Sequence, residues 1–238
     1  MRDKIKSKVF FEKSLSFTTE CINDFEKIMP TVIEKQGENS EGAINGYNAL
    51  VIYYIKRVNL LYSLGRSIQE IKEIYNKLLN YYAKVWKMDY GYIELVRIIS
   101  LGILLNIDNL NSDFKILENK IKKTGLNDYL LNFLLKSVDT EWELSTETFA
   151  YKGIYDDIKA IIENPNGKSK DLLKEYLNDK WYEIHNETAW YDSHNSKQNT
   201  YYGYWAYEVG AICKILQLDD EELKEQRYYP YDLVHFNE

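Results

Sequence analysis

The spacing of helix breakers most strongly constrains what this 238-residue chain can fold into. Only three prolines occur, and the long runs between them place apolar residues three and four positions apart. That spacing puts apolar side chains on one face of a helix, and no segment alternates convincingly as a strand would. The sequence therefore predicts an all-α protein of about ten helices, arranged in antiparallel pairs and in two associated helical parts.

Capping and turn residues predict where the helices begin and end. A first helix is expected over residues 3–29, stopped by Pro30 and followed by a loop over residues 34–46. Gly65 is the expected left-handed cap of a second helix, and Ser67 with Glu70 forms a capping box that opens a third. Further helices are predicted over residues 92–106, 112–125, 128–137, 146–163 and 170–185, with a turn over residues 164–169.

The aromatic stretch 201–234 is expected to organise the C-terminal half. A helix is predicted to start near Tyr201, with Trp205 and Glu208 on the face beside its apolar one. Asp219 is the expected N-cap of a last short helix, and Glu222 is its expected capping-box partner. Nothing in this stretch is typical of a nucleophile, a phosphate loop or a metal site, so it is interpreted as a packing element.

Charge is distributed unevenly along the chain. Residues 1–123 carry 15 acidic and 19 basic side chains, a net charge of +4, whereas residues 124–238 carry 22 and 11, a net charge of −11. The end of the predicted fifth helix near Gly125 is the expected domain boundary, which gives two domains over residues 1–123 and 124–238. The acidic half argues against nucleic-acid binding and favours a basic partner, with a solvated acidic surface as the alternative.

Three motifs follow one another in the C-terminal half: WYEIHNETAWYDSHNS (residues 181–196), YYGYWAYE and YYPYDLV. Their order resembles the C-terminal domain of the PoNi family, the immunity proteins of PoNe toxins, which are bacterial DNase effectors of the PD-(D/E)xK nuclease superfamily. The N-terminal half, with a long first helix and the sequence YSLGRSIQEI (residues 62–71), is similar to the family's N-terminal domain. The resemblance covers nearly the whole chain and implies an immunity protein that binds and neutralises a cognate PoNe-type DNase toxin.

The resemblance and the charge together indicate two sets of site residues. The motif residues are expected to hold the fold: Trp181, Trp190, His194, Tyr202, Gly203, Tyr204, Trp205, Glu208, Tyr229, Pro230, Tyr231 and Asp232. A nuclease presents a basic cleft to DNA, so acidic residues are the candidate toxin contacts. They are Asp139, Glu141, Glu143, Glu147, Asp156, Asp157, Asp219, Asp220, Glu221 and Glu222.

No residue pattern typical of catalysis occurs. The three histidines, His185, His194 and His235, lack the spacing of metal ligands, so we expect no catalytic residue, no metal and no cofactor. Two alternative functions remain open. One is a small helical enzyme that uses Glu208 with His194, and the other is a helical scaffold that binds peptides.

The start of the chain and its hydropathy predict a cytoplasmic protein. The first residues lack the apolar core of a signal peptide, and the longest apolar run, residues 98–107, is too short to span a bilayer. We therefore expect the cognate toxin as partner, with no membrane and no direct nucleic-acid partner. The sequence does not indicate the oligomeric state.

Overall fold

The computed structural model of the chain describes residues 1–88, 91–165 and 169–237. The prediction of an all-α fold is confirmed, because these residues form ten α-helices and no strand. The helices are α1 (Lys8–Gln36), α2 (Glu41–Leu64), α3 (Ile68–Val85), α4 (Tyr92–Leu104), α5 (Ser112–Thr124), α6 (Tyr129–Val138), α7 (Asp156–Glu163), α8 (Ser169–Glu175), α9 (Tyr207–Leu216) and α10 (Tyr231–Val234).

The chain divides into two compact units, each built from segments that are separate in sequence. The N-terminal unit contains Met1–Lys87, Ser112–Lys120 and Ser193–Tyr204, and the C-terminal unit contains Met88–Asn111, Ile121–Asp192 and Trp205–Glu238. The domain boundary between residues 123 and 124 stays a prediction. Residues 166–168 of the predicted turn over residues 164–169 lie outside the described residues.

In the N-terminal unit, α1 and α2 pack along their length as antiparallel neighbours. The Tyr54 hydroxyl donates to the Glu26 carboxylate at 2.6 Å, and Gly46 lies against the Met29 side chain. A step back along α1 from Met29 to Glu26 is therefore a step forward along α2 from Gly46 to Tyr54, which is the pairing that antiparallel helices make. Helix α3 packs on the same α2, whose buried side chains extend around most of its circumference.

The predicted end of α1 at Pro30 was wrong, since the helix continues to Gln36. A proline inside a helix leaves one carbonyl without its amide partner and normally stops or kinks the helix. Pro30 lies on the exposed side, where water can solvate that carbonyl, while Met29 beside it is buried. Packing against α2 therefore outweighs the local cost of the proline.

The predicted start of α1 and the predicted loop over residues 34–46 were also wrong at their boundaries. Helix α1 begins after Ser7, and α2 begins after Ser40; in each case the serine hydroxyl accepts the amide three residues on. Such capping satisfies a helix-end donor, so only residues 37–40 remain to connect the two helices. The predicted caps at Gly65, in a left-handed conformation, and at Ser67, which accepts the Glu70 amide at 3.2 Å, are confirmed.

In the C-terminal unit, the apolar helix α4 packs against α6 and α9, and α10 packs against α9. At Gly210 on α9, side chains of three neighbouring positions pack close to the helix backbone. A Cβ atom there would lie 2.6 Å from the Pro230 side chain, 3.2 Å from Val234 and 3.4 Å from Leu104. Only glycine fits this contact without moving its neighbours.

Two helical glycines offer a matched test of this contact. Gly210→Ala is expected to lower the free energy of unfolding by about 1–3 kcal/mol, because the methyl group overpacks against the rigid ring of Pro230. Gly42→Ala meets the flexible end of the Gln36 side chain and lies at an ordinary contact distance of 3.4 Å from Val32, so it is expected to be neutral or stabilising, because alanine favours the helix. Urea denaturation of both variants measures the difference; equal effects would contradict the close packing at Gly210.

The predicted helix over residues 146–163 was wrong in its first half, because only Asp156–Glu163 is helical. Thr146 and Thr148 bond to each other through their hydroxyl groups at 3.0 Å, which competes with helical bonding. Gly153 then adopts a positive φ of 86°. The segment is tied instead to the start of α6, where Asp128 caps the helix and also accepts the Tyr92 hydroxyl at 2.7 Å and the Ala150 amide at 2.8 Å.

The predicted helix over residues 170–185 is interrupted. Helix α8 ends at Glu175 and a π-helical turn follows over Tyr176–Lys180. The Trp181 amide donates to the Tyr176 carbonyl at 2.7 Å, a bond that spans five residues instead of four. The π-helical turn therefore adds one residue to the turn that precedes the buried Trp181.

The predicted aromatic helix starting near Tyr201 was wrong at its beginning. Residues 201–206 are not helical, and α9 begins at Tyr207. Gly203 has a positive φ of 111°, which a helix does not allow. Tyr201 and Trp205 therefore do not share a helix face with Glu208, although all three side chains are buried.

Candidate partner-binding surface

The segment after α6 holds three exposed carboxylates on a backbone that is fixed by local hydrogen bonds. The Asp139 side chain is buried and accepts the amide of Glu141 at 3.0 Å. Glu141, Glu143 and Glu147 are exposed, while Trp142 between the first two is buried. We call residues 139–147 the acidic loop.

Trp142 anchors the acidic loop to α6. Its indole nitrogen donates to the Asn132 side-chain oxygen at 3.0 Å, and the Asn132 amide group donates to Asn127 at 2.7 Å. Asn127 in turn donates to the Ser145 carbonyl at 3.2 Å. Because this chain of bonds fixes both sides of the loop, a partner that binds Glu141 or Glu143 meets a loop that is already ordered.

Two other carboxylates of this region form ion pairs with lysines. Glu147 lies 2.8 Å from Lys159, and Asp157 at the start of α7 lies 3.1 Å from Lys180. Asp156, next to Asp157, is exposed and accepts only the local Gly153 amide, at 3.1 Å. Carboxylates in the first turn of a helix are also favoured by the helix dipole.

The acidic residues 219–222 mostly pair with lysines as well. Glu222 contacts Lys170 at 2.9 Å and also Lys174, and these lysines lower its pKa to about 2. Asp219 lies 3.3 Å from Lys170, and the Glu221 carboxylate accepts the Tyr231 hydroxyl at 2.7 Å and lies 3.8 Å from Lys224. The predicted capping box of Asp219 with Glu222 was therefore wrong, because Glu222 turns towards the lysines.

Asp220 differs from its neighbours because it is buried. Its carboxylate accepts the Tyr229 hydroxyl at 2.5 Å and lies 2.8 Å from the ring Nε2 of His235. A partner therefore has no direct access to Asp220, nor to the buried Asp139. Among the candidate contacts in the described part of the chain, the exposed carboxylates without an ion pair are Glu141, Glu143 and Asp156.

The C-terminal unit also contains a buried aromatic cluster centred on Trp181. Its indole ring stacks on Trp190 with 5.6 Å between ring centroids and contacts Tyr228 at 4.8 Å. The indole nitrogen donates to the Glu208 carboxylate at 2.5 Å. The His185 ring donates from Nδ1 to the Trp181 carbonyl at 2.6 Å, so side chain and backbone of Trp181 are both bound.

Burial shifts the pKa values of two groups in this cluster in opposite directions. It raises the pKa of Glu208 to about 7, against a weaker opposing effect of the Trp181 hydrogen bond and of the Arg97 charge. It lowers the pKa of His185 to about 4. Glu208 is only 1 % exposed, so a substrate does not reach its carboxylate in this structure.

The motif residues of the N-terminal unit form a separate cluster around Tyr204. Its hydroxyl lies 2.9 Å from the His194 ring Nδ1 and accepts the His194 backbone amide at 3.2 Å. The Tyr202 carbonyl accepts the Ser63 hydroxyl at 3.3 Å, and Gly203 between the two tyrosines is buried. His194 and Glu208, the pair of the enzyme alternative, belong to different units.

The Tyr-Pro-Tyr-Asp motif lies at the start of α10, the last helix of the C-terminal unit. Tyr229 and Pro230 are buried, and the backbone of α10 starts directly after them. Tyr231 is half-buried and Asp232 is exposed. That these motif residues are required for folding stays a prediction.

Neither a metal site nor a membrane span was found in the part of the chain that the structure describes. No group of three or more His, Cys, Asp or Glu side chains is placed to hold an ion. No helix over the described ranges is long and apolar enough to cross a bilayer.

The sequence reasoning missed two residues that shape the surface, Trp142 and Asp128. The available signal for Trp142 was a single large aromatic residue between exposed glutamates, since an isolated tryptophan in a polar loop usually packs inward. The predicted start of the helix implied a cap at Asp128. No local sequence pattern indicated that the Asp128 side chain also bonds to Tyr92 and Ala150.

Comparison with known families accounts for both halves of the chain. A family model described as PoNe immunity protein (PoNi), N-terminal, matches residues 2–115, and one described as PoNe immunity proteins (PoNi), C-terminal, matches residues 126–233. The chain belongs to the PoNi family. The resemblance inferred from the sequence motifs is confirmed, and the function of this PoNi protein is immunity to a PoNe toxin.

Among solved structures, protein PA2201 from Pseudomonas aeruginosa is similar to this PoNi protein. The two superpose with a TM-score of 0.71 at 17% sequence identity, over 98% of this chain and 89% of the PA2201 chain. At this identity the similarity shows a shared fold. Comparison with curated proteins finds no match.

Proposed function

We propose that this PoNi protein neutralises a PoNe-type DNase by binding it in the cytoplasm of the producing bacterium. The observation that carries the proposal is the match of both halves of the chain to PoNe immunity proteins. Family membership supports a toxin as the protein partner and supports a role as a binding protein. The chemistry of the toxin and the surface that meets it are the proposed parts.

The acidic surface of the C-terminal unit fits the DNA-binding cleft of a nuclease. Such a cleft is lined by cations that hold phosphates, and an acidic protein surface is attracted to it over about 8–10 Å at physiological salt. Glu141, Glu143 and Asp156 are the exposed acids of the candidate set without a lysine partner in the described residues. Their charge is therefore available to a partner, whereas the charge of Asp157 or Glu222 is already offset within the chain.

Charge reversal in the acidic loop tests this surface. Association of wild-type protein with a catalytically inactive toxin is expected to slow by at least about tenfold from low to high salt. The variant Glu141→Lys, Glu143→Lys is expected to associate about three- to tenfold more slowly at low salt, because it replaces attraction by repulsion. Stopped-flow fluorescence measures both rates, and thermal melting checks that the exposed substitutions leave the fold intact.

The matched control is Glu20→Lys, Glu34→Lys, which changes the net charge equally at exposed positions of α1. If both double variants slow association equally, only net charge matters and the acidic loop is not the contact. If association of the wild type is independent of salt, the attraction to a basic cleft is refuted, while the immunity function stands on the family match.

A further inference from the structure

A groove of about 690 Å³ lies within the N-terminal unit, between α1, α2 and residues 198–202. Its apolar lining comes mainly from Val9, Phe10, Phe17, Tyr53 and Leu60. The volume lies in the range of binding sites in proteins, and its walls are mostly aromatic and aliphatic, as such sites usually are. We call it the α1–α2 groove.

The rim of the α1–α2 groove exposes large apolar side chains to water. Phe17 is 63 % exposed and Val9 is 58 % exposed. Burial of such side chains against a partner is favourable in proportion to the apolar area removed from water. A cluster of exposed apolar groups around a concave surface is typical of an interaction site.

The α1–α2 groove is also positively charged, unlike the chain as a whole. Lys13 and Lys56 line it, none of its described lining residues is acidic, and the chain has a net charge of −7. The Lys56 ammonium group lies 5.5 Å from the centroid of the Tyr53 ring. Neither lysine is in an ion pair with a carboxylate of the described residues, so both charges are available to an incoming anion.

The wall formed by residues 198–202 is held in place before any partner binds. The buried Tyr201 hydroxyl donates to the carboxylate of Asp3, and the Tyr201 ring packs on Phe11 at 5.9 Å between centroids. The Ser63 hydroxyl holds the Tyr202 carbonyl at 3.3 Å. A preformed groove loses less conformational entropy on binding, which raises its affinity for a matching ligand.

We propose that the α1–α2 groove is a second docking site for the toxin, which takes a toxin segment with an aromatic or aliphatic side chain next to a carboxylate. The apolar side chain packs on Phe17 and Tyr53, and the carboxylate pairs with Lys13 or Lys56. The charge of the groove selects an acidic segment, and the toxin is the protein partner that family membership establishes. This inference rests on the proposed function, but it concerns another surface of opposite charge.

Two groove variants and one control test this docking site. Lys13→Glu, Lys56→Glu reverses the charge of the groove, and Phe17→Ser removes its most exposed aromatic side chain. Each is expected to weaken binding of the catalytically inactive toxin by at least about tenfold, mainly through faster dissociation. Lys27→Glu, Lys35→Glu makes the same charge change at exposed positions of α1 that do not line the groove, and it is expected to leave the affinity unchanged.

Isothermal titration calorimetry gives the affinities, and light scattering on a sizing column gives the oligomeric state. If wild-type protein binds the toxin and the groove variants bind equally well, the groove proposal is overturned and the proposed function stands. If the groove variants change self-association but not toxin affinity, the occupant is a second copy of this chain and the proposal is likewise overturned. If wild-type protein does not bind the toxin at all, the proposed function itself fails.

Discussion

Replacing Trp181 with alanine is expected to lower the free energy of unfolding by about 3–5 kcal/mol. The indole ring is buried between Trp190 and Tyr228, so its removal leaves a cavity where those rings now make contact. The substitution also leaves the Glu208 carboxylate without the donor that it has now. Urea denaturation followed by far-ultraviolet circular dichroism measures the loss.

Trp181→Phe separates the two contributions, because it keeps an aromatic ring in the stack but removes the indole N–H. It is expected to cost about 1–3 kcal/mol less than Trp181→Ala, and to raise the pKa of Glu208 further, since the hydrogen bond now stabilises the ionised carboxylate. Wild-type stability in Trp181→Ala would show that the cluster is not part of the cooperative core.

Glu208→Gln is expected to raise the free energy of unfolding by about 2–3 kcal/mol at pH 8 and to leave it nearly unchanged below pH 4.5. Burial raises the pKa of Glu208 from 4.5 to about 7, so the folded state binds this proton more tightly than the unfolded state does. The cost of the buried charge is therefore absent below pH 4.5, grows as the pH rises to 7, and is complete above it. Glutamine keeps an acceptor for Trp181 and never carries the charge.

His185 contributes a pH dependence of the opposite sign in the same cluster. Its pKa is lowered from 6.5 to about 4, so the unfolded state binds the proton more tightly and this group makes stability rise with pH between those values. The two effects oppose each other in the wild type over much of this range. The difference between Glu208→Gln and wild type isolates the glutamate, because His185 is present in both proteins. A difference that does not change with pH between 4.5 and 8 would falsify the raised pKa of Glu208.

The parts of the fold that could be predicted from the sequence are those fixed by neighbouring residues. The caps at Ser67 and Asp128 and the left-handed Gly65 were predictable, because each depends on a backbone group within a few positions. The family motifs were recognisable for the same reason, as contiguous sequence. The all-α class followed from periodicity, which packing did not override.

The parts that could not be predicted depend on residues far apart in sequence. Pro30 stays helical because α2 packs against that turn of α1. Residues 201–206 are not helical, and two of them bond to groups far away in sequence: the Tyr201 hydroxyl to Asp3, and the Tyr202 carbonyl to the Ser63 hydroxyl. In each case a distant contact outweighs the local preference.

The candidate surface also has some features that could be predicted from the sequence and others that could not. The acidic residues themselves could be read from the sequence, but their neutralisation could not, since Lys170 lies far from Asp219 and Glu222 in sequence. The α1–α2 groove was not predictable either, because it combines residues of α1 and α2 with residues 198–202. Charge counts along a chain therefore overstate the charge that a partner meets.

The measurement that tests the proposed function most directly is the rate of DNA cleavage by the cognate PoNe toxin, which we propose to be a nuclease, titrated with this protein. A tight inhibitory complex predicts that cleavage falls linearly and stops near one equivalent of immunity protein, because at nanomolar or tighter affinity nearly every added molecule is bound. The same titration with Glu141→Lys, Glu143→Lys requires more protein for the same inhibition. Undiminished cleavage in the presence of a large excess of folded wild-type protein would contradict the claim that this chain neutralises the toxin by binding its nuclease domain.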